Sequence, residues 1–388
     1  MKNVLIYYRY FGLTLGGGEY LPLRFIAALQ KSCAVTLALD WTDHFERAVQ
    51  LMGIPIDMDR LEVVQVMPKG FHSTTNNLFQ SLQRFRRLRR LAKNADVCIS
   101  LANIMDFGKP AHHFLITTDL GDDGFADFVR CRGMSRPSFP MQVRRFVKDG
   151  LLRPLLGMRS KKSIITDPRE HLYPNSEYAD ALMRGYYGTF NSHVFYPPTL
   201  FVHAATDVTR DPLRILYIGR VSPAKRISDI VEIAAMARTL SGKNLRLSIA
   251  GRLDSASYRK QLENMTVGCD WIDFPGELFS DAKARFLASG TYAIHAMRTE
   301  AFGISVTEYL KSGLIPIVPD EGGAHEVVSD AELSFGSKED AAKILARLVT
   351  DDEFRESKRS SCRKRAEEFS MEAYERRERE LLDAIVAG

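Results

Sequence analysis

The sequence predicts an α/β protein built from two doubly wound parallel-sheet domains, each Rossmann-like, facing a central cleft. Three observations carry the prediction. Short β-branched or leucine-rich runs alternate with longer amphipathic patterns along the chain, as in a parallel sheet covered by helices on both faces. The alternation breaks once, after Pro197-Pro198, and restarts at Leu213. A length of 388 residues exceeds one ordinary core and suits two domains.

The chain opens with a strand, Val4 to Tyr8, then the glycine turn LGGGEY and a helix with Leu21, Phe25, Ile26 and Leu29 at helical spacing. The runs VTLALD, EVVQVM, NLFQSLQRFRRLRRLAK, DVCISLA and HHFLITT continue the pattern, giving a first domain at 1–198. TLFVHAATDVTRDP has little periodicity and reads as a linker, 199–212. The second domain, 213–370, alternates again. RILYIG, LRLSIAG, WIDFPG, TYAIHA and LIPIVP are its strands. ISDIVEIAAMARTL, SYRKQLENM, SDAKARFLAS and a segment from about Glu339 to Val349 are among its helices. The last segment, 371–388, is a charged helix with one apolar face.

Hydrophobic content of 45% and charged content of 26% are those of a globular chain, not a disordered one. The five cysteines are scattered with no CxxC pair, which suggests free thiols in a reducing compartment and no metal site. The start lacks the flanks of a signal peptide, and no stretch reaches the roughly 20 apolar residues that span a bilayer, so a cytoplasmic location is expected. Charge is uneven. Residues 1–200 hold 26 Lys+Arg against 18 Asp+Glu, and the rest of the chain 27 against 30, so an anionic partner should meet the first half.

The chemistry-bearing stretch is TEAFGISVTEYLKSGLIPIVPDEGGAHEVV. The strand TYAIHA should end near His295, and a helix should begin about Gly303, whose missing side chain lets a ligand approach the backbone. Helix N-termini attract anions and hydroxyls. Glu300 precedes that helix and Glu308 lies within it, so two carboxylates can frame one ligand and accept bonds from paired sugar hydroxyls. Taken alone, the pair also fits an acidic helix start. Upstream, Arg220 and Lys225 follow the strand RILYIG, at a junction that suits a diphosphate.

These segments resemble the retaining glycosyltransferases of the GT-B fold, family 4 (glycosyl transferases group 1). The resemblance rests on GRVSPAKR, LSIAGR, the E-x7-E motif Glu300 to Glu308, SGLIPIV and GGAHEVV, and in the first half on LGGGE and YPNSEYADALMRGYYG. It implies a hexosyl transfer with retention from a GDP- or UDP-sugar to a glycan or lipid-linked acceptor. The nucleotide sugar would be a co-substrate, with no cofactor and no metal; Asp57-Met58-Asp59 has the spelling of a metal motif by chance. Arg220 and Lys225 would hold the diphosphate, and Glu308 the ribose. Glu300 would hold the donor sugar beside the backbone amides of Phe302, Gly303 and Ile304. Gly17 and Gly18 would let the first domain's loop close on phosphates or acceptor. The final helix would pack back on that domain. Gly322-Gly323 reads either as bordering the same site or as a plain turn. Asp119 stands near where relatives often carry a histidine, and reads either as its catalytic stand-in or as a helix cap. Two readings of another class remain: a weakly active sugar-nucleotide-binding partner subunit, or a sugar-nucleotide epimerase.

Two stretches combine basic and apolar residues. Gln83 to Lys93 reads as a surface helix packing its apolar side on the sheet. Arg136 to Lys162, with eight Lys+Arg and one acid, either does the same or makes peripheral contact with anionic lipid on the inner face of a membrane. Nucleic acid is not expected, because no aromatic platform interleaves the basic residues.

Overall fold

The computed structural model describes residues 1–12, 17–68, 78–117, 120, 122–130, 152–199 and 207–388. The chain divides into two compact units, Met1–Pro198 with Tyr374–Gly388, and Thr199–Ala373.

Unit 1 is a six-stranded parallel sheet of β1 (Asn3–Tyr8), β2 (Ala34–Leu39), β3 (Leu61–Gln65), β4 (Val97–Ser100), β5 (His112–Leu115) and β6 (His171–Pro174), in the order β3-β2-β1-β4-β5-β6. After Asn3 the central strand β1 is apolar, with Val4, Leu5 and Ile6 buried, because helices cover both faces of such a sheet. Its helices are α1 (Gly17–Leu29), α2 (Phe45–Met52), α3 (Leu78–Ala92), α4 (Asp123–Arg130), α5 (Lys161–Ile165) and α6 (Glu177–Tyr187). In α3, Phe85 and Leu88 face the core as the pattern predicts. Arg84, counted among the surface charges, is instead buried and donates through Nε to both oxygens of buried Asp40, at 2.9 and 2.8 Å.

Unit 2 repeats the plan with β7 (Arg214–Ile218), β8 (Arg246–Ala250), β9 (Ile272–Gly276), β10 (Tyr292–Ile294), β11 (Ile315–Pro319) and β12 (Ser334–Phe335), all parallel, ordered β12-β11-β10-β7-β8-β9. In each sheet the order reverses beside the unit's first strand, the dinucleotide-fold arrangement in which a crevice opens at the strand carboxyl ends. In unit 2 that switch point lies between β7 and β10.

The helices of unit 2 are α7 (Ile227–Ser241), α8 (Ala256–Met265), α9 (Ser280–Ser289), α10 (Ile304–Lys311), α11 (Gly323–Val328), α12 (Lys338–Thr350) and α13 (Asp352–Glu367). Helix α13 escapes the hydropathy pattern because its inner face is Phe354, Lys358 and Cys362; the lysine is buried against Asp330 and Glu332.

The segment read as a linker, 199–212, is tied to unit 2 where it is described. The Thr199 hydroxyl donates to that of Thr307 at 2.8 Å, and Arg210 donates to the carbonyls of Gly290 and Ser312 at 2.6 and 2.7 Å. The final helix, α14 (Met371–Ala387), crosses the unit boundary. Within unit 1, its Glu378 takes Arg24 at 2.6 Å and the Tyr374 hydroxyl at 3.0 Å.

Candidate active site

Of the predicted site residues, Arg220, Lys225, Glu300 and Phe302 lie on the segments that leave β7 and β10, at the switch point of unit 2. After β7 the chain turns through Gly219 and Arg220 into a short turn, Pro223–Lys225, before α7. After β10 it passes His295 and Glu300 and enters α10 through Gly303. Gly303 caps that helix at φ 101°, a left-handed conformation that disfavours any side chain. Residues Val306, Tyr309 and Leu310 bury the inner face of α10, and Glu308 is carried on the same helix, only 4% exposed. The Tyr309 hydroxyl accepts from the Ile218 N–H at 2.8 Å and so ties the helix to the end of β7.

The structure brings Lys225 and Glu300 together: the ammonium donates to Glu300 Oε2. His295 Nε2 lies 3.4 Å from the same oxygen. Burial pushes the Glu300 carboxyl up, but Lys225 and then His295 outweigh it and hold it below its usual range. Burial pushes the His295 ring down, to about 4, against the pull of Glu300. The imidazole is therefore neutral at neutral pH.

Glu308 does not meet Glu300's partner. It pairs with Lys283 of α9 at 2.6 Å, a residue that sequence reasoning passed over. Burial raises the Glu308 carboxyl above its ordinary value in spite of Lys283. Arg220 is exposed, with no side-chain hydrogen bond or ion pair among the described residues; only its carbonyl is engaged, by the Tyr217 hydroxyl at 3.0 Å. The Phe302 side chain turns into the core against Phe369, ring centroids 6.0 Å apart, so only its backbone can face a ligand.

The glycine pair Gly322-Gly323 supports the Glu300 loop. A Cβ on Gly322 would lie 2.5 Å from the Arg298 carbonyl oxygen, and one on Gly323 2.2 Å from that of Ala301. Arg298 ties the same loop to Asp320 and Glu321 at 2.9 and 2.8 Å.

Unit 1 has its own crevice at its switch point, a cavity of about 390 Å³ lined by Tyr8, Arg9, Arg84, Asn103, Asp106 and Arg153, among others. Gly17 opens α1, and a Cβ on Gly18 would meet open space. Asp119 lies outside the described residues, as does 136–151 of the basic stretch. Of the remainder, Leu155 is exposed, whereas Arg159 pairs with Asp167 and Glu170 at 2.8 and 2.6 Å. No described helix is long and apolar enough to cross a membrane. Asp57 accepts from the Asp59 N–H at 3.1 Å and caps the turn Met58–Arg60. Among the described residues no group of histidine, cysteine or acidic side chains is placed to hold a metal.

Two Rossmann-like units in this order have the GT-B fold of glycosyltransferases. Residues 202–369, nearly all of unit 2, match the model of the family glycosyl transferases group 1. Among solved structures, WaaG, a glycosyltransferase involved in lipopolysaccharide biosynthesis, superposes with a TM-score of 0.69 at 14% identity, over 99% of this chain and 100% of that one. Sucrose-phosphate synthase from Thermosynechococcus elongatus gives 0.69 at 15% identity, over the whole of both chains. Anabaena HepE in complex with UDP-glucose gives 0.65 at 14%, over 99% and 100%. Among curated proteins, the GDP-Man:Man(3)GlcNAc(2)-PP-Dol alpha-1,2-mannosyltransferase of Eremothecium gossypii is 24% identical over 43% of this chain. Its counterpart in Candida glabrata is 30% identical over 27%. The match spans 32% and 23% of those relatives' own lengths.

Proposed function

We propose that the protein is a retaining glycosyltransferase that moves a hexosyl group from a nucleoside-diphosphate sugar to a glycan or lipid-linked acceptor. One observation carries the reading: Lys225 and Glu300 meet at the switch point between β7 and β10, with Glu308 on the helix that follows. A diphosphate there takes Lys225 and exposed Arg220 as cations, while Glu300 and Glu308 accept hydroxyls from the donor sugar and the ribose. Charge grows on the leaving diphosphate in such a transfer, so fixed cations and helix-start amides stabilise the transition state more than the ground state. Those groups supply the positive charge without a metal. Retention follows if the acceptor attacks from the face the diphosphate leaves and passes its proton to the leaving phosphate. The crevice of unit 1 is the place for the acceptor.

The curated relatives make GDP-mannose the first donor to try, with UDP-sugars second. The experiment is a binding and transfer screen with GDP-, UDP-, ADP- and dTDP-sugars against lipid-linked and free glycans, with and without EDTA. Transfer with retained anomeric configuration, insensitive to EDTA, supports the reading. Free nucleotide without a glycoside product would favour an epimerase. Binding without turnover would favour a partner subunit. No binding of any nucleoside diphosphate would end it.

A further inference from the structure

We propose that His295 is a positioning residue: it takes hold of Glu300 when a nucleoside diphosphate draws Lys225 away. The inference rests on the donor site proposed above and adds to it a residue and a partner exchange. Lys225 spends its ammonium on Glu300, so a phosphate must compete with that carboxylate for it. A diphosphate offers more negative charge than one carboxylate, so its arrival pulls Lys225 across. Glu300, 18% exposed at its side chain, then loses its counter-charge. A carboxylate left so poorly solvated must find another donor or take up a proton.

His295 is the neighbour placed to supply that donor. It directly follows β10, and its backbone N–H is anchored on the Ile317 carbonyl of β11 at 3.0 Å, which fixes the root of the side chain. The residue is 1% exposed, and its ring faces the Met297 backbone as well as Glu300. Burial of a polar ring favours completing such a contact, since buried polar groups are nearly always paired. Nε2 stands 3.4 Å from Glu300 Oε2. A shift of about half an ångström brings it within ordinary N–H···O range. A neutral imidazole suits the task. It can donate one N–H and orient the carboxylate, whereas an imidazolium would repeat the tight ion pair that Lys225 has just left. The carboxylate, which the Ala301 backbone also contacts, keeps lone pairs to accept a hydroxyl of the donor sugar. Lys225 and His295 thus hold Glu300 in turn.

The test uses the full chain, with GDP and UDP as binding probes and the best nucleotide sugar from the screen as donor. Calorimetry on the wild type comes first. If neither nucleotide nor any nucleoside-diphosphate sugar binds, the donor site itself is wrong and the proposal falls with it. If the wild type binds and turns over, His295→Leu separates the two ideas. It should leave the dissociation constant for the nucleotide within about threefold and the donor KM little changed, but lower kcat by about tenfold or more. His295→Gln, which keeps an N–H donor, should recover most of the loss. Equal impairment of both variants, or none in either, overturns the assignment. Should His295→Leu fail to fold, the wild type labelled with ¹⁵N-histidine decides. Nucleotide addition should shift the Nε2 resonance of His295 as it gains a hydrogen bond, and an unmoved resonance in the nucleotide-saturated protein overturns the proposal.

Discussion

The Gly323 N–H donates to the carbonyl of Glu300 at 2.8 Å, and the same glycine leaves no room for a side chain against the loop that carries that glutamate. The second glycine turn of the motif is thus a buttress for the first. Gly323→Ala would set a methyl 2.2 Å from the Ala301 oxygen and 2.5 Å from the Phe302 Cα, backbone atoms that cannot rotate aside. Overpacking of that kind costs about 1–3 kcal/mol. Urea unfolding should show that loss, and transfer assays should show slower sugar transfer, because the displaced loop carries Glu300 with it.

Glu300 and Lys225 restrain each other. Glu300→Gln removes the charge that holds the ammonium while keeping the shape. Nucleoside-diphosphate binding should tighten or hold steady, and sugar transfer should fall at least about tenfold, since an amide holds sugar hydroxyls less firmly than a carboxylate. Calorimetry with GDP and UDP beside initial-rate assays would read both. A matching loss of nucleotide affinity would mean that Lys225 is not released for phosphate.

Glu308 carries a pH signature. Its carboxyl is already raised by burial, and Lys283 at 2.6 Å works against that rise. Lys283→Met removes the larger of two opposing charges, Lys311 being the other, so the carboxyl rises further. A protonated carboxyl has lost acceptor capacity for paired ribose hydroxyls. As pH falls, nucleotide affinity of the variant should therefore begin to drop at a higher pH than that of the wild type does. Glu308→Ala should weaken binding by about tenfold, close to 1.4 kcal/mol, at every pH. A flat, unchanged profile for Lys283→Met would separate Glu308 from the nucleotide.

Much of this was legible in the sequence, for a physical reason. The inner strands of both sheets are buried on two faces, so β1, β7 and β11 are nearly unbroken apolar runs, and the helices between the strands carry one apolar stripe. The loop after each strand then falls at a known edge, which is why Lys225 and Glu300 could be placed near one another. What stayed hidden depends on contacts across space. Lys283 looks like an ordinary exposed helix lysine until α9 is laid beside α10. Arg84 sits in a run of surface arginines, and only the fold reveals Asp40 beneath it. In α13, Lys358 takes a core position that hydropathy assigns to an apolar residue.

His295 predicts how stability depends on pH. Its folded value of about 4 lies below the ordinary 6.5, so between those values the unfolded chain binds more protons than the folded one. Stability then rises with pH across that window and is lost as pH falls from 6.5 toward 4; the size is on the order of 3 kcal/mol. The groups facing the ring are Glu300, which favours the imidazolium, and Lys225, which opposes it. His295→Gln should flatten this part of the profile. Urea midpoints measured from pH 4 to 7 for both proteins would check it, and parallel curves would contradict the buried neutral ring.

The last prediction concerns unit 1, where Asp40 accepts both bonds from Arg84 and a third from the Tyr7 hydroxyl at 3.0 Å. Burial pushes the Asp40 carboxyl up, against the pull of Arg84. Removing Arg84 leaves the buried carboxylate to Arg9, whose Nε stands 3.8 Å away, so the loss approaches the roughly 3–5 kcal/mol of a charge left unpaired. Arg84→Leu alone should therefore destabilise unit 1 strongly. Replacing the pair together, Asp40→Leu with Arg84→Leu, should cost less than the sum of the two single changes, because neither charge is then stranded. Arg84 and Tyr7 also line the unit 1 cavity, so on the reading proposed above the folded double variant should lose acceptor turnover while nucleotide binding, assigned there to unit 2, is preserved. Denaturant unfolding gives the coupling energy, and transfer assays at saturating donor give the acceptor KM. A double variant that binds and uses acceptor as the wild type does would move the acceptor site elsewhere.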